Sequence, residues 1–228
     1  MPMEKKALDY ILVPLGLLAM VAYHLWLLYQ IMNYPNKTVI GINTIHRSFW
    51  VCAMMEDVSK NGILAIQTLR NNLMASIRLA SIATMLSSVI AVLMSSGNQD
   101  KSALLVFGDR SELDFSIKFK FSSILVCFLV TLLFSVQSMR YYSHASFLIT
   151  IVPHEHHKAY VAKTVIKGSY FWSLGLRAFY FSFPLFLWIF GPIPMFLSCF
   201  VLVILLYSLD YTFDDHYIDE ANFKLYRN

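Results

Sequence analysis

The sequence predicts an all-α, polytopic transmembrane helical bundle of about five spans, one domain over residues 1–228, with an amphipathic interfacial helix after the first span. Three observations carry this. Hydrophobic residues make up 57% of the chain, against roughly 45–50% in soluble domains. Charged residues make up 14%, against roughly 25%, too few to clothe a water-facing surface of this size. Apolar runs long enough for a bilayer recur along the chain, and a helix needs roughly 20 such residues to cross about 30 Å of hydrocarbon.

The first span covers residues 8–31, with Pro14 and His24 as its irregular members. That run exceeds a secretory h-region of roughly 7–15 residues, and no small-residue cleavage site follows it. Tyr34-Pro35-Asn36-Lys37 reads as a turn. Residues 44–58, with Asn43 or Thr44 as cap, mix Phe49, Trp50, Met54 and Met55 with His46, Arg47, Glu56 and Asp57. This is the pattern of a helix lying in the interface. The second span, 73–94, is rich in Ala and Ser, which let helices approach closely in lipid. Residues 63–70 extend it beyond the lipid. The third, 119–139, is the most uniformly apolar. The stretch 169–209 is about twice a membrane crossing, and Gly191-Pro192-Ile193-Pro194 divides it into spans 170–190 and 192–209. Four spans with a re-entrant last hairpin is the rival reading. Residues 97–116 and 140–167 are polar connectors, and the tail after Asp210 is acidic.

With five spans, the first and third connectors and the tail hold ten Lys and Arg, and the other side holds six. The positive-inside rule then puts those connectors and the C-terminus in the cytosol; with four spans the count ties. Net charge is +4, scattered rather than striped, which excludes nucleic acid and suits anionic headgroups. Cys52, Cys127 and Cys199 lie in apolar surroundings without a CxxC and read as buried free thiols. The Asn36-Lys37-Thr38 sequon would face the cytosol and go unused.

Ionisable groups within a span are costly, so each is a candidate for function. Arg78 and Arg177 enter their spans from the predicted cytosolic side at similar depth, near Asn71, Asn72, Tyr141 and Tyr142. Two guanidiniums facing one cavity could hold a phosphate or carboxylate; alternatively, each snorkels to the headgroups or pairs with Glu56 or Asp57. Lys118 and Lys120 read as interfacial anchors, with Asp114 one turn before Lys118. His154, His156 and His157 are weak metal candidates, because HEHH lacks the HExxH spacing, and no metal site is assigned. His24 has no histidine on another span to complete a haem site. No GxSxG, GxGxxG or Walker A sequence is present. The sequence therefore predicts no enzyme and no cofactor.

With these motifs in view, the chain resembles plant members of the domain-of-unknown-function 599 family. The resemblance rests on Ile45-His46-Arg47-x-x-Trp50, on residues 61–79 with Asn71-Asn72 and Arg78, on Tyr142-Ser143-His144-Ala145-Ser146-Phe147, and on Gly175-Leu176-Arg177-Ala178-Phe179-Tyr180-Phe181. It implies a multi-pass membrane protein without assigned activity, and adds Arg47 and Trp50 to Arg78, Arg177, Asn71 and Asn72 as candidate ligand-binding residues. The expected function is binding or passage of a small anionic solute or lipid headgroup on the cytosolic side, as a transporter or channel would. The alternatives are an adaptor that recruits a partner protein through Phe49 and Trp50, and a metal- or haem-dependent redox protein. Expected partners are membrane lipids, an anionic small molecule and a second copy of the chain. The expected location is the plasma membrane or another endomembrane.

Overall fold

In the computed structural model, which describes residues 2–96, 110–151 and 155–211, the chain forms six α-helices and one 3₁₀ turn. The helices are α1 (Pro2–Asn33), α2 (Val39–Glu56), α3 (Val58–Ser96), α4 (Arg110–Leu148), α5 (Glu155–Leu187) and α6 (Pro192–Asp210). Four segments are long and apolar enough to cross a membrane: Asp9–Asn33, Val58–Ser95, Ile117–Leu148 and Pro192–Asp210. Only 17% to 28% of their most apolar stretches is buried inside the protein. The remainder presents side chains such as Leu18, Leu25, Leu133, Phe200 and Ile204 outward, which lipid solvates and water would not.

Close contacts fix the helix directions. Gly16 meets Cys199 and Trp26 meets Tyr207, so α1 and α6 run parallel. Ser138 bonds Gly168 and Lys120 bonds Trp188, so α5 runs antiparallel to α4. Ser76 bonds Ser138 while Ile90 and Ile124 share a core cluster, so α3 also opposes α4. One end of the bundle therefore carries α2 and the C-terminal end of α6, where Thr38 bridges Tyr211. The other end carries the turn between α5 and α6. That turn is sharp because Gly191 adopts φ 144° and Pro192 opens α6, a backbone conformation that favours glycine.

The helices outlast the bilayer. At 1.5 Å per residue, α3 and α4, with 39 residues each, reach roughly 58 Å, nearly twice the hydrocarbon thickness. The excess of α3 and the last turns of α4 lie at the α2 end and form a cap with its own core: Val51 and Met55 of α2, Ala65 and Leu69 of α3, Tyr142 and Ala145 of α4, and Val161 and Val165 of α5. The polar connector expected over 140–167 is thus mostly helix, because alternate turns of it carry the apolar residues that fill this core. The helix expected at 44–58 begins earlier, at Val39. Its cap is Thr38, not Asn43 or Thr44: the Thr38 hydroxyl accepts the Gly41 N–H at 3.2 Å and donates to the Pro35 carbonyl at 3.1 Å. The sequon threonine is consequently fully buried. Residues 97–109, most of the other expected loop, lie outside the described residues.

Two glycines separate position from composition. A Cβ on Gly41 would collide with the Pro35 carbonyl, whereas a Cβ on Gly62 would meet only Val58 Cγ1 at 3.6 Å. Gly62→Ala is expected to stabilise the protein by about 0.5–1 kcal/mol through helix propensity. Gly41→Ala is expected to destabilise it by about 1–3 kcal/mol through overpacking. Unfolding of the detergent-solubilised variants measures both; equal effects would refute the tight turn before α2.

Candidate functional site

Three polar constellations stand out in the fold. The first joins α1, α5 and α6. Arg177 Nη2 donates to Asp210 Oδ1 at 2.6 Å, and the Tyr23 hydroxyl donates to Asp210 Oδ2 at 2.8 Å. The side chains of Arg177 and Asp210 are 14% and 11% exposed. Helix geometry explains how they meet. Side chains tilt toward their helix N-terminus, so Arg177 on descending α5 rises toward the α2 end, while Asp210 on ascending α6 dips back into the bundle. Leu27, Leu206, Tyr180 and Val203 pack around the junction. His24 sits beside it, its ring 5.7 Å from Phe181 and its Nδ1 2.7 Å from the Met20 carbonyl. That contact requires the proton on Nδ1 and leaves Nε2 as an acceptor. His24 Nε2 and Arg177 Nη1 are both buried without a protein partner, so the cluster keeps one acceptor and one donor uncommitted.

The second constellation is electrostatic. Lys37, Lys60, Arg70, Arg78, Arg140, Lys163 and Lys167 are all exposed and all lie toward the α2 end. Among the described residues the carboxylates of that end are Glu56, Asp57, Glu155 at the start of α5 and the paired Asp210. Asp57 is spent locally: it accepts the Ser59 hydroxyl at 2.6 Å and the Lys60 N–H at 3.1 Å, opening α3. These bonds, the Ser59 one first, hold its carboxyl below the usual carboxylate range.

The third lies at the opposite end. Lys120 Nζ donates to the Trp188 carbonyl at 3.0 Å and stands 5.1 Å over the indole. Trp188 Nε1 donates to Asp9 at 3.3 Å. The expected anchor Lys120 therefore ties α4, α1 and the α5–α6 turn together.

The residues singled out from the sequence divide among these places. Arg78 and Arg177 face different sides. Gly175 of α5 meets Leu79 of α3, and Arg177, two residues on, is rotated by roughly 200° away from that contact toward α6. Arg78 is exposed on α3. The acidic partner of Arg177 is Asp210, not Glu56 or Asp57. Asn71 is exposed, whereas Asn72 is half-buried and its carbonyl accepts the Ser76 hydroxyl. Arg47 and Trp50 belong to the cap: Trp50 packs on the cap core, and Arg47 Nε is buried without a partner. Phe49 is 38% exposed. His154 lies outside the described residues; His157 bonds the Leu148 carbonyl at 3.0 Å and His156 is exposed. Among the described residues no three His, Cys, Asp or Glu side chains group as metal ligands. Sequence reading missed the role of Asp210. A carboxylate at the last turn of an apolar helix, in a chain with an unexplained intramembrane arginine, was the available signal.

A family model described as "Protein of unknown function, DUF599" matches residues 11–215. The chain belongs to this family. Neither a curated protein nor a solved structure matches it.

Removing one member of a buried ion pair strands the other, at about 3–5 kcal/mol. Arg177→Ala and Asp210→Ala are each expected to lower unfolding stability in detergent by that amount. The double change Arg177→Met with Asp210→Leu is expected to recover most of it, because the apolar pair fills the same space without desolvated charge. A double variant no better than the singles would refute a purely structural pairing.

Proposed function

We propose that this DUF599 protein is a five-span membrane protein whose basic, cytosolic α2 end binds the anionic headgroups of membrane lipids. The single observation that carries the reading is the placement of seven exposed Lys and Arg toward one end of the bundle. Each cation near an anionic leaflet contributes about 1 kcal/mol. The internal Arg177 is paired with Asp210, so the outward cations are the ones placed to meet phosphate.

The position of these cations along the helices supports membrane contact. Lys120 and Trp188 mark the opposite end. Arg140 lies roughly 30 Å above Lys120 along α4, and Lys167 roughly 31 Å above Trp188 along α5, each close to the hydrocarbon thickness. Both therefore reach the second interface.

Helix parity supports five crossings. The chain leaves the α2 end on α3, returns on α4 and ends back at the α2 end on α6, where Thr38 meets Tyr211. Only a crossing by α5 makes that count even. The aromatic and serine content of α5, with Lys158, Lys163 and Lys167 in its first half, lowers its mean hydropathy without shortening it. The basic bias of the same end supports its cytosolic side.

Two measurements test this reading. Phosphatidylglycerol, compared with phosphatidylcholine, is expected to raise the unfolding temperature of the purified protein, and the difference is expected to shrink as salt rises through about 0.5 M. Equal effects of the two lipids would refute headgroup binding. Cys52, exposed on α2, is expected to react with a membrane-impermeant maleimide only from the cytosolic face. Labelling from the other face would invert the proposed orientation.

A further inference from the structure

The exposed cations are not equivalent, because Arg70 stands above, and Arg78 beside, an open groove on the lipid-facing side of α3. The groove encloses about 410 Å³ and is lined by Ile77, Ala80, Ser81, Thr84, Met85 and Ser88 of α3, with Met139 of α4 as its far wall. Its hydroxyls are turned inward. Ser81 donates to the Ile77 carbonyl at 2.9 Å, Thr84 to Ala80 at 2.9 Å and Ser88 to Thr84 at 3.0 Å. With those protons committed to the helix's own backbone, the groove offers no free hydroxyl donor. That suits a hydrocarbon chain and not a polar solute.

The helix repeat sets charge directly above this apolar track. At about 100° per residue, Arg70, Ile77, Ser81 and Ser88 fall in one sector about 40° wide, and Asn71 and Arg78 lie roughly a quarter-turn to its side. All six are exposed. Depth agrees with direction. Met94 of α3 and Phe121, next to Lys120, both pack on the core cluster that extends to the opposite end. Counting from Met94, Arg78 stands roughly 24 Å and Arg70 roughly 36 Å along α3, on either side of the far edge of a 30 Å hydrocarbon layer. A phosphate at that edge has one guanidinium below it and one above it, each able to donate two parallel hydrogen bonds. Asn71 adds an amide donor beside them.

We propose that this groove is a site for one anionic phospholipid, with an acyl chain along Ile77, Ser81 and Ser88 against Met139, and the phosphate between Arg70 and Arg78. The proposal rests on the preceding reading of the α2 end and gives it a location and a ligand class. A phospholipid fits because the groove joins an apolar floor to a cationic mouth at headgroup depth. A second copy of the chain would need to bring its own anion to Arg70 and Arg78.

The test uses the full-length protein in nanodiscs of equal parts phosphatidylglycerol and phosphatidylcholine, followed by native mass spectrometry of the lipid retained after mild delipidation. The wild type is expected to keep one phosphatidylglycerol. Ser81→Phe and Ser88→Phe, which fill the groove at exposed positions, and the pair Arg70→Gln with Arg78→Gln are each expected to reduce its retention at least tenfold. Lys163→Gln with Lys167→Gln, which removes as much charge from α5, is expected to lower it less than twofold. Equal losses in every variant would overturn the groove site and leave the general headgroup reading standing. Equal retention of both lipids by the wild type would overturn both. A change from dimer to monomer in Ser81→Phe, with no lipid retained by the wild type, would assign the groove to a second copy and overturn the proposal.

Discussion

The bundle is organised around one costly charge. Arg177 is carried by a helix inside a mostly apolar assembly, and an unpaired guanidinium there would be desolvated at a cost of several kcal/mol. Asp210 and Tyr23 remove that cost by engaging both ends of one carboxylate with a guanidinium and a phenol. Because the three side chains belong to α5, α6 and α1, satisfying the charge also fixes those helices together. The last turn of α6 cannot fray without exposing Arg177, and Thr38 meeting Tyr211 just beyond it ties the same point to the start of α2. The pair alone is weak proof of stabilisation, since well-packed apolar side chains do as well in such places. Its distinctive effect is on register: it sets where α6 ends relative to α1.

A second set of contacts joins α3, α4 and α5 by closeness rather than charge. Ser76 and Ser138 bond at 2.9 Å, and Ser138 donates onward to the Gly168 carbonyl at 2.9 Å. Gly168 and Gly175 are seven residues apart and so share a face of α5. A Cβ on Gly168 would come within 3.1 Å of the Tyr142 ring, and one on Gly175 within 3.4 Å of Ser135 Oγ. In lipid, where burial of apolar surface gives little drive to association, such close approach and interhelical hydroxyl bonds supply it. The small residues of α3 noticed in the sequence serve this interface on one face and the open groove on the other.

What the sequence disclosed follows from which forces act locally. Four of the apolar runs, the break at Gly191-Pro192 and the turn at Pro35 are written in consecutive residues and appear close to where they were expected; the run at 170–190 is helical but does not stand among the four segments apolar enough to cross a membrane. The cap at the α2 end was less legible. Its core residues, such as Leu69, Tyr142 and Val165, are spaced among Lys, Arg and His, so residues 140–167 read as polar connector until four helices bring the apolar faces together. The pairing of Arg177 with Asp210 spans 33 residues and depends on two helices running in opposite directions, which no local pattern encodes. Similar depth made Arg78 and Arg177 look like partners, yet depth is only one coordinate. Rotation about each helix axis was the missing one, and the Leu79–Gly175 contact supplies it.

The two arginines therefore illustrate opposite solutions to the same problem. Arg177 faces inward, where it is largely buried, and is neutralised by a carboxylate from the protein itself. Arg78 faces outward near the end of the hydrocarbon, where its aliphatic stem can lie along α3 and its head can reach the interface. A neutralising group for Arg78 then comes from the surroundings, and in a membrane the abundant anion at that depth is lipid phosphate. The same accounting applies to Arg140 and Lys167, which stand at comparable heights on α4 and α5. What distinguishes Arg78 is the surface beside it: a concave track with its hydroxyl protons already committed, about a quarter-turn round the helix and in line with Arg70. Charge alone would gather anionic lipid anywhere around this end, whereas charge next to an open apolar groove would favour one place on α3.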